Sequence, residues 1–374
     1  GKRFLGKVLA VVCSIAILLP NAAYAATVTT WTNLVSDIAV TGASNTTTLT
    51  DNIEADTTDS LGAQGATALT ITSDAAQETR AIVGDGYNTQ GITVSAGQTL
   101  TLNNIVLNNL KDYAVDNQGS LILQGTSSVA NSNIIDSQAT KTGQLTVGDG
   151  VNLNMLEHTI SQSTITNNGN LVVTLNNMSV DNDITNNGNM YINGATTEEF
   201  RHVLNNNITG TGMVFFGPRA TESNYTEIAE GKEISTNVQI YGLGTYYTAG
   251  VTNSGTISGD VDVRVGGVLT SNLSNLTGSA INNFGTINAT GGTLGTAITD
   301  VNHTGTLNIK GNVTNGGYNI QQNKINIEQN TSLVTNANNL NITDKIYNAS
   351  MLQLTGGTNT AEVAGLTVSD TLYK

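Results

Sequence analysis

The chain is predicted to be all-β, a single-stranded parallel β-helix in which each coil takes roughly 19–25 residues. Three observations predict this. A seven-residue pattern with a central glycine recurs along most of the sequence. Each copy is followed by a short run of alternating apolar and polar residues, the pattern of a half-buried strand, and helical periodicity is almost absent beyond residue 45. The composition matches such a stack: 49 Asn, 57 Thr and 40 Gly make 146 of 374 residues, whereas only 11% are charged. Like charges stacked at a strand spacing of about 4.8 Å would repel, whereas Asn, Thr and Val rows can pack and ladder.

Residues 1–25 stand apart and are expected to be a signal peptide. Lys2, Arg3 and Lys7 give a positive start, Val8 to Leu19 is an apolar run, and Pro20 breaks it. Ala23 and Ala25 then place small residues before Ala26, so cleavage is expected after Ala25. The apolar run has 12 residues, short of the ~20 that a transmembrane helix needs. Cys13 lies inside this segment behind Val11 and Val12, which does not suit lipid attachment. Without the segment the chain has no cysteine, which excludes a disulfide scaffold, a thiolate metal site and a cysteine enzyme. Its net charge becomes −14 − 3 = −17, and a nucleic-acid reader with a basic face is excluded on the same ground.

Residues 26–110 are expected to hold an N-terminal cap and the first coils. Thr30-Trp31-Thr-Asn-Leu34-Val35-Ser-Asp-Ile38 reads as a short amphipathic helix capped by Thr29 or Thr30, and the region Trp31 to Val40 is expected to cover the first sheet edge. Residues 111–374 are the repetitive coils. The pattern reads Val115-Asp-Asn-Gln-Gly119-Ser-Leu121, Ile165-Thr-Asn-Asn-Gly169-Asn-Leu171 and Ile184-Thr-Asn-Asn-Gly188-Asn-Met190, with later copies at Gly255, Gly285 and Gly305 and weaker ones at Gly212 and Ser350. The central positions are 50, 19, 24, 43, 30, 20 and 45 residues apart, mostly one or two coils. Glycine tolerates φ > 0 and Asn is next, so the motif is expected to be a left-handed turn between strands.

The order of the N-terminal segments, with Ala81-Ile-Val-Gly-Asp-Gly-Tyr87, Gly91-Ile-Thr-Val94 and Leu100-Thr-Leu102-Asn-Asn-Ile105, resembles the start of bacterial autotransporter passengers and related pectin-lyase-like outer-membrane proteins. Ser279-Ala-Ile-Asn-Asn-Phe-Gly-Thr-Ile287 also resembles passenger coils. The resemblance implies a right-handed β-helix exported through a C-terminal β-barrel. Because the sequence stops at Lys374 still in repeat-like residues, it further implies a fragment lacking that barrel. It places the protein at the cell surface, in the outer membrane or outside the cell. There it would work by contact, as an adhesin or a self-associating protein, with host surface glycans, host proteins or further copies as partners. A polysaccharide lyase or hydrolase on the same fold, and a passive surface rod, are the alternatives.

The residues nominate no catalytic, cofactor-binding or metal-ligating group. A polygalacturonase-like site would show Asn-Thr-Asp, Asp-Asp, Gly-His-Gly and Arg-Ile-Lys segments, and none occurs. Asp181-Asn-Asp183 is the nearest thing to a carboxylate cluster, and a solvated turn is its plainer reading. Gly84-Asp85-Gly86 and Gly148-Asp149-Gly150 resemble part of a calcium repeat but lie 64 residues apart and read as turns. His158, His202 and His303 are not at ligand spacing. Two stretches break the repeat and carry much of the charge, Ala195 to Asn207 and Phe215 to Glu233. Excursions from a rigid scaffold are where recognition concentrates, so these are the candidate contact region. Tyr241, Tyr246 and Tyr247 could stack on sugar rings or merely pack.

Overall fold

A computed structural model describes residues 23–365 except Ala220 and Thr245, so the proposed signal peptide lies almost wholly outside the described residues. The chain is all-β, with parallel strands stacked as a right-handed β-solenoid of about 16 turns. It divides into two compact units, Gly1–Ile165 and Thr166–Lys374. Among the described residues helix is confined to Trp31–Ile38 and a few 3₁₀ turns, and no helix is long and apolar enough to cross a membrane.

The first unit opens with strand Tyr24–Val28, which pairs in parallel with Gly42–Leu49. Helix α1 (Trp31–Ile38) lies between them in sequence. Its N-cap is Thr30, whose hydroxyl accepts from the Asn33 amide at 3.2 Å. Trp31, Leu34 and Ile38 recur at helical spacing and are fully buried, and the Trp31 indole donates to the Asp59 carbonyl at 2.8 Å. The strands that follow stack in register. Leu69, Leu100, Leu121 and Leu145 form one inward file, and Ile71, Leu102, Leu123 and Val147 the next. Burial of such files is what holds a coil that could not fold alone.

In the second unit a lateral sheet runs through strands Asn224–Ile228, Ala249–Asn253, Gly267–Ser271, Thr286–Ala289, Thr306–Ile309 and Lys324–Ile327. Leu269, Ile287, Leu307 and Ile325 form its inward file and are all buried. The alternate positions of the same strands therefore face outward.

The repeat motif is a corner between two sheets, and its glycine is required for a reason other than the expected one. Gly119, Gly188, Gly255, Gly285 and Gly305 all have ordinary φ, as do the motif asparagines. What excludes a side chain is the neighbouring coil. A Cβ on Gly188 would lie 2.0 Å from the Gly169 carbonyl oxygen, one on Gly285 2.3 Å from that of Arg264, and one on Gly305 2.0 Å from that of Asn283. The motif Asn is equally tied to the stack. Asn117, Asn167, Asn186 and Asn283 are fully buried. Their side-chain amides donate to the carbonyls of Gln144, Asn189, Met213 and Thr306, each the residue after the next coil's glycine, at 2.9–3.0 Å. The expected amide ladder is present between two coils, where Asn167, Asn187 and Asn189 donate to Asn186, Asn168 and Asn170 at 2.8–2.9 Å. Within the motif copies left-handed backbone occurs only at His303 and Gly210; elsewhere it belongs to other turns, including Gly86 and Gly150 of the two Gly-Asp-Gly segments.

Candidate ligand-contact groove

The first of the two stretches that break the repeat meets the second at the lateral sheet of the second unit, to which the second stretch contributes strand Asn224–Ile228. The first leaves its coil at Gly194, makes a 3₁₀ turn at Glu198–Phe200 and returns as strand His202–Leu204. Ala195 pairs antiparallel with Tyr225 of the second stretch, through hydrogen bonds of 2.9 and 2.8 Å. Gly194 permits this approach, because a Cβ there would lie 2.2 Å from the Tyr225 carbonyl oxygen. Arg201 then reaches across the sheet. Its Nε lies 3.4 Å from a Glu227 carboxylate oxygen, and one terminal nitrogen donates to the Thr252 hydroxyl at 2.9 Å.

The result is a groove of about 260 Å³, walled by Glu198 and Arg201 and floored by outward residues of four successive strands. Tyr225, Gly250 and Val268 stand in one file, and Thr252, Thr270 and Asn288 in the next. The Cδ1–Cε1 edge of the Tyr225 ring occupies the space that a Cβ at Gly250 would need, 2.7–3.0 Å away. Lys310 closes the far side and pairs with Glu328 at 3.3 Å. Each cation lining the groove thus has a carboxylate beside it. The surface is amphipathic, with one aromatic edge, one valine and several hydroxyl and amide groups, a mixture suited to holding a hydroxylated ligand by many weak contacts.

The other sequence candidates have separate places. Tyr241 is half-buried, its ring filling the space beside Gly217, and burial together with nearby Tyr191 raises its phenol above the usual value of 10. Tyr246 is 86% exposed, on an excursion closed by a Leu243–Tyr247 bridge. Asp183 accepts from the Asn207 side chain at 3.0 Å, as expected of a turn. Asp85 accepts the amides of Tyr87, Asn88 and Thr89 at 2.8–3.0 Å, and these bonds hold its carboxyl far below the ordinary carboxylate range. His202 is lowered from 6.5 by burial. His303 has φ 52° and meets the Thr343 hydroxyl at 2.7 Å. Among the described residues no group of three or more His, Cys, Asp or Glu could hold a metal ion.

Sequence reasoning located the stretches that supply Glu198, Arg201 and Tyr225 and missed the groove's other half. Gly250, Val268, Asn288 and Lys310 come from regular coils, where only register shows which outward residues adjoin the excursions. The available signal was an Asn three residues after a motif glycine, as in Gly285-Thr-Ile-Asn288 and Gly305-Thr-Leu-Asn308. No protein-family model, no curated protein and no solved structure matches the chain.

Proposed function

We propose that this chain is an exported bacterial β-solenoid that acts by contact, in adhesion or self-association, without turning over what it binds. One observation carries the reading: the first departure from the repeat bridges onto strand Asn224–Ile228 and raises a wall, Glu198 and Arg201, beside outward residues of the lateral sheet. A repetitive sheet beside such a groove also suits weak contacts that add up by multivalency.

Export rests on the plan of residues 1–25 and on the resemblance to autotransporter passengers. The proposed cut after Ala25 falls inside strand Tyr24–Val28 and would leave Ala26–Val28, with their pairs Ala26↔Thr47, Thr27↔Thr48 and Val28↔Leu49. N-terminal sequencing of the exported protein should begin at Ala26. For contact, the purified chain is tested for attachment to immobilised cells and for self-association, beside Arg201→Ala, which removes one wall. Attachment or association that the variant weakens supports the reading, whereas measurable turnover of a polysaccharide would sink it.

A further inference from the structure

The groove does not end at its walls. The file that begins with Thr252 continues along the lateral sheet as Thr270, Asn288, Asn308 and Asn326, in unbroken register. These side chains are joined. Asn326 donates to Asn308 at 2.7 Å, Asn308 to Asn288 at 2.8 Å, and Asn288 to the Thr270 hydroxyl at 3.1 Å.

A carboxamide has two N–H donors and an oxygen with two lone pairs. The ladder uses one N–H of each Asn and one lone pair of Asn288 and of Asn308. Each rung keeps an N–H and a lone pair, held side by side on a half-buried side chain whose orientation the ladder has already set. That pair is complementary to a vicinal diol, in which one hydroxyl accepts and its neighbour donates. The rungs repeat at the strand spacing of about 4.8 Å, comparable with one pyranose residue of an extended chain.

Charge narrows the ligand further. A polyuronate needs cations free to meet its carboxylates. In the groove Arg201 lies on Glu227 and Lys310 on Glu328, and Glu198 adds a carboxylate at the wall; Lys324, on the same outward face as Asn326, is a single cation at the ladder's far end. The Tyr225 ring edge and Val268 supply the apolar contact that sugar C–H faces need.

We propose that the groove and the Thr270–Asn326 ladder together form a subsite for a linear, neutral glycan laid across successive strands; this rests on the contact reading above and names its ligand class. The test is affinity electrophoresis of the whole chain through gels containing a β-1,4-glucan, a galactomannan or polygalacturonate, at physiological salt. Three chains are run: wild type, Asn308→Ala, and Asn189→Ala, which breaks a rung outside this file.

Retardation of wild type and Asn189→Ala by a neutral polymer, with at least a tenfold loss for Asn308→Ala at unchanged melting temperature, is the expected result. Equal retardation of all three overturns the ladder's role. Retardation by polygalacturonate alone, weakening with salt, overturns the neutral ligand, as does no retardation by any polymer; in both cases cell attachment or self-association can persist, and the contact reading then stands. Loss of attachment and association as well refutes that reading itself.

Discussion

Replacing Gly188 by alanine isolates the reason for the repeat's glycines. A Cβ there would lie 2.0 Å from the Gly169 carbonyl oxygen, where about 3.0 Å is the least that real contacts show. The two coils must therefore part locally by about 1 Å. The bonds nearest the contact are Gly188 N–H to Asn167 O at 3.1 Å and Asn189 N–H to Gly169 O at 2.8 Å. Stretched by that amount, both leave the usual range of about 2.7–3.2 Å. Two neutral hydrogen bonds cost about 1–3 kcal/mol together, and overpacking adds about 1–3 kcal/mol. The alanine returns about 0.4–1 kcal/mol by restricting the unfolded chain. The expected net loss is about 1–5.6 kcal/mol, centred on about 3 kcal/mol. Gly231→Ala is the comparator. Nothing lies within 4 Å of its added Cβ, but its φ is 74°, so it should lose only the left-handed penalty of about 1–2 kcal/mol. Urea unfolding gives the total. Native-state hydrogen exchange localises the damage, since solenoid coils are stabilised by their neighbours. Protection should fall at the corner around residues 184–190 in Gly188→Ala. If Gly188→Ala loses no more than Gly231→Ala, the close-approach account of the motif is wrong.

Further expectations follow from the same geometry. Trp31 is the only tryptophan and is fully buried, so emission should be blue-shifted and report the surroundings of helix α1 alone. If the helix caps the first sheet edge as expected, Trp31→Ala should cost about 3–5 kcal/mol and increase association in size-exclusion chromatography; unchanged melting and elution would refute that expectation. The Asp85 carboxyl is depressed in the folded chain, so its stabilisation is present above the ordinary carboxylate value and lost only as pH falls through the lower folded one. Amides of Tyr87, Asn88 and Thr89 should keep their protection down to about pH 4, the unfolded range, and lose it in Asp85→Ala at neutral pH. Tyr241 is raised by burial, so its neutral form is favoured by folding and its contribution is full below the ordinary tyrosine value and lost above it. Spectrophotometric titration should show one late phenol that disappears in Tyr241→Phe.

The solenoid was legible in the sequence because it repeats. Each inward residue, such as Leu269 or Ile287, meets its equivalent one coil away, so a period and an alternation suffice to name the core. Residues 195–207 and 215–233 were legible as breaks in that period, although Phe215–Phe216 and Asn224–Ile228 of the second stay in the stack as strands. By itself the sequence determined which positions are inward, where corners fall and where the repeat is interrupted. Tertiary structure decided why the corners need glycine and what the excursions lie against. The glycine requirement at Gly188 comes from a carbonyl of another coil, not from the local backbone angle that the motif suggested. The groove joins Arg201 and Tyr225 to Asn288 and Lys310 across more than 80 residues of sequence. Stacking turns such separations into neighbours about 4.8 Å per coil apart, and register alone selects which ones share a face.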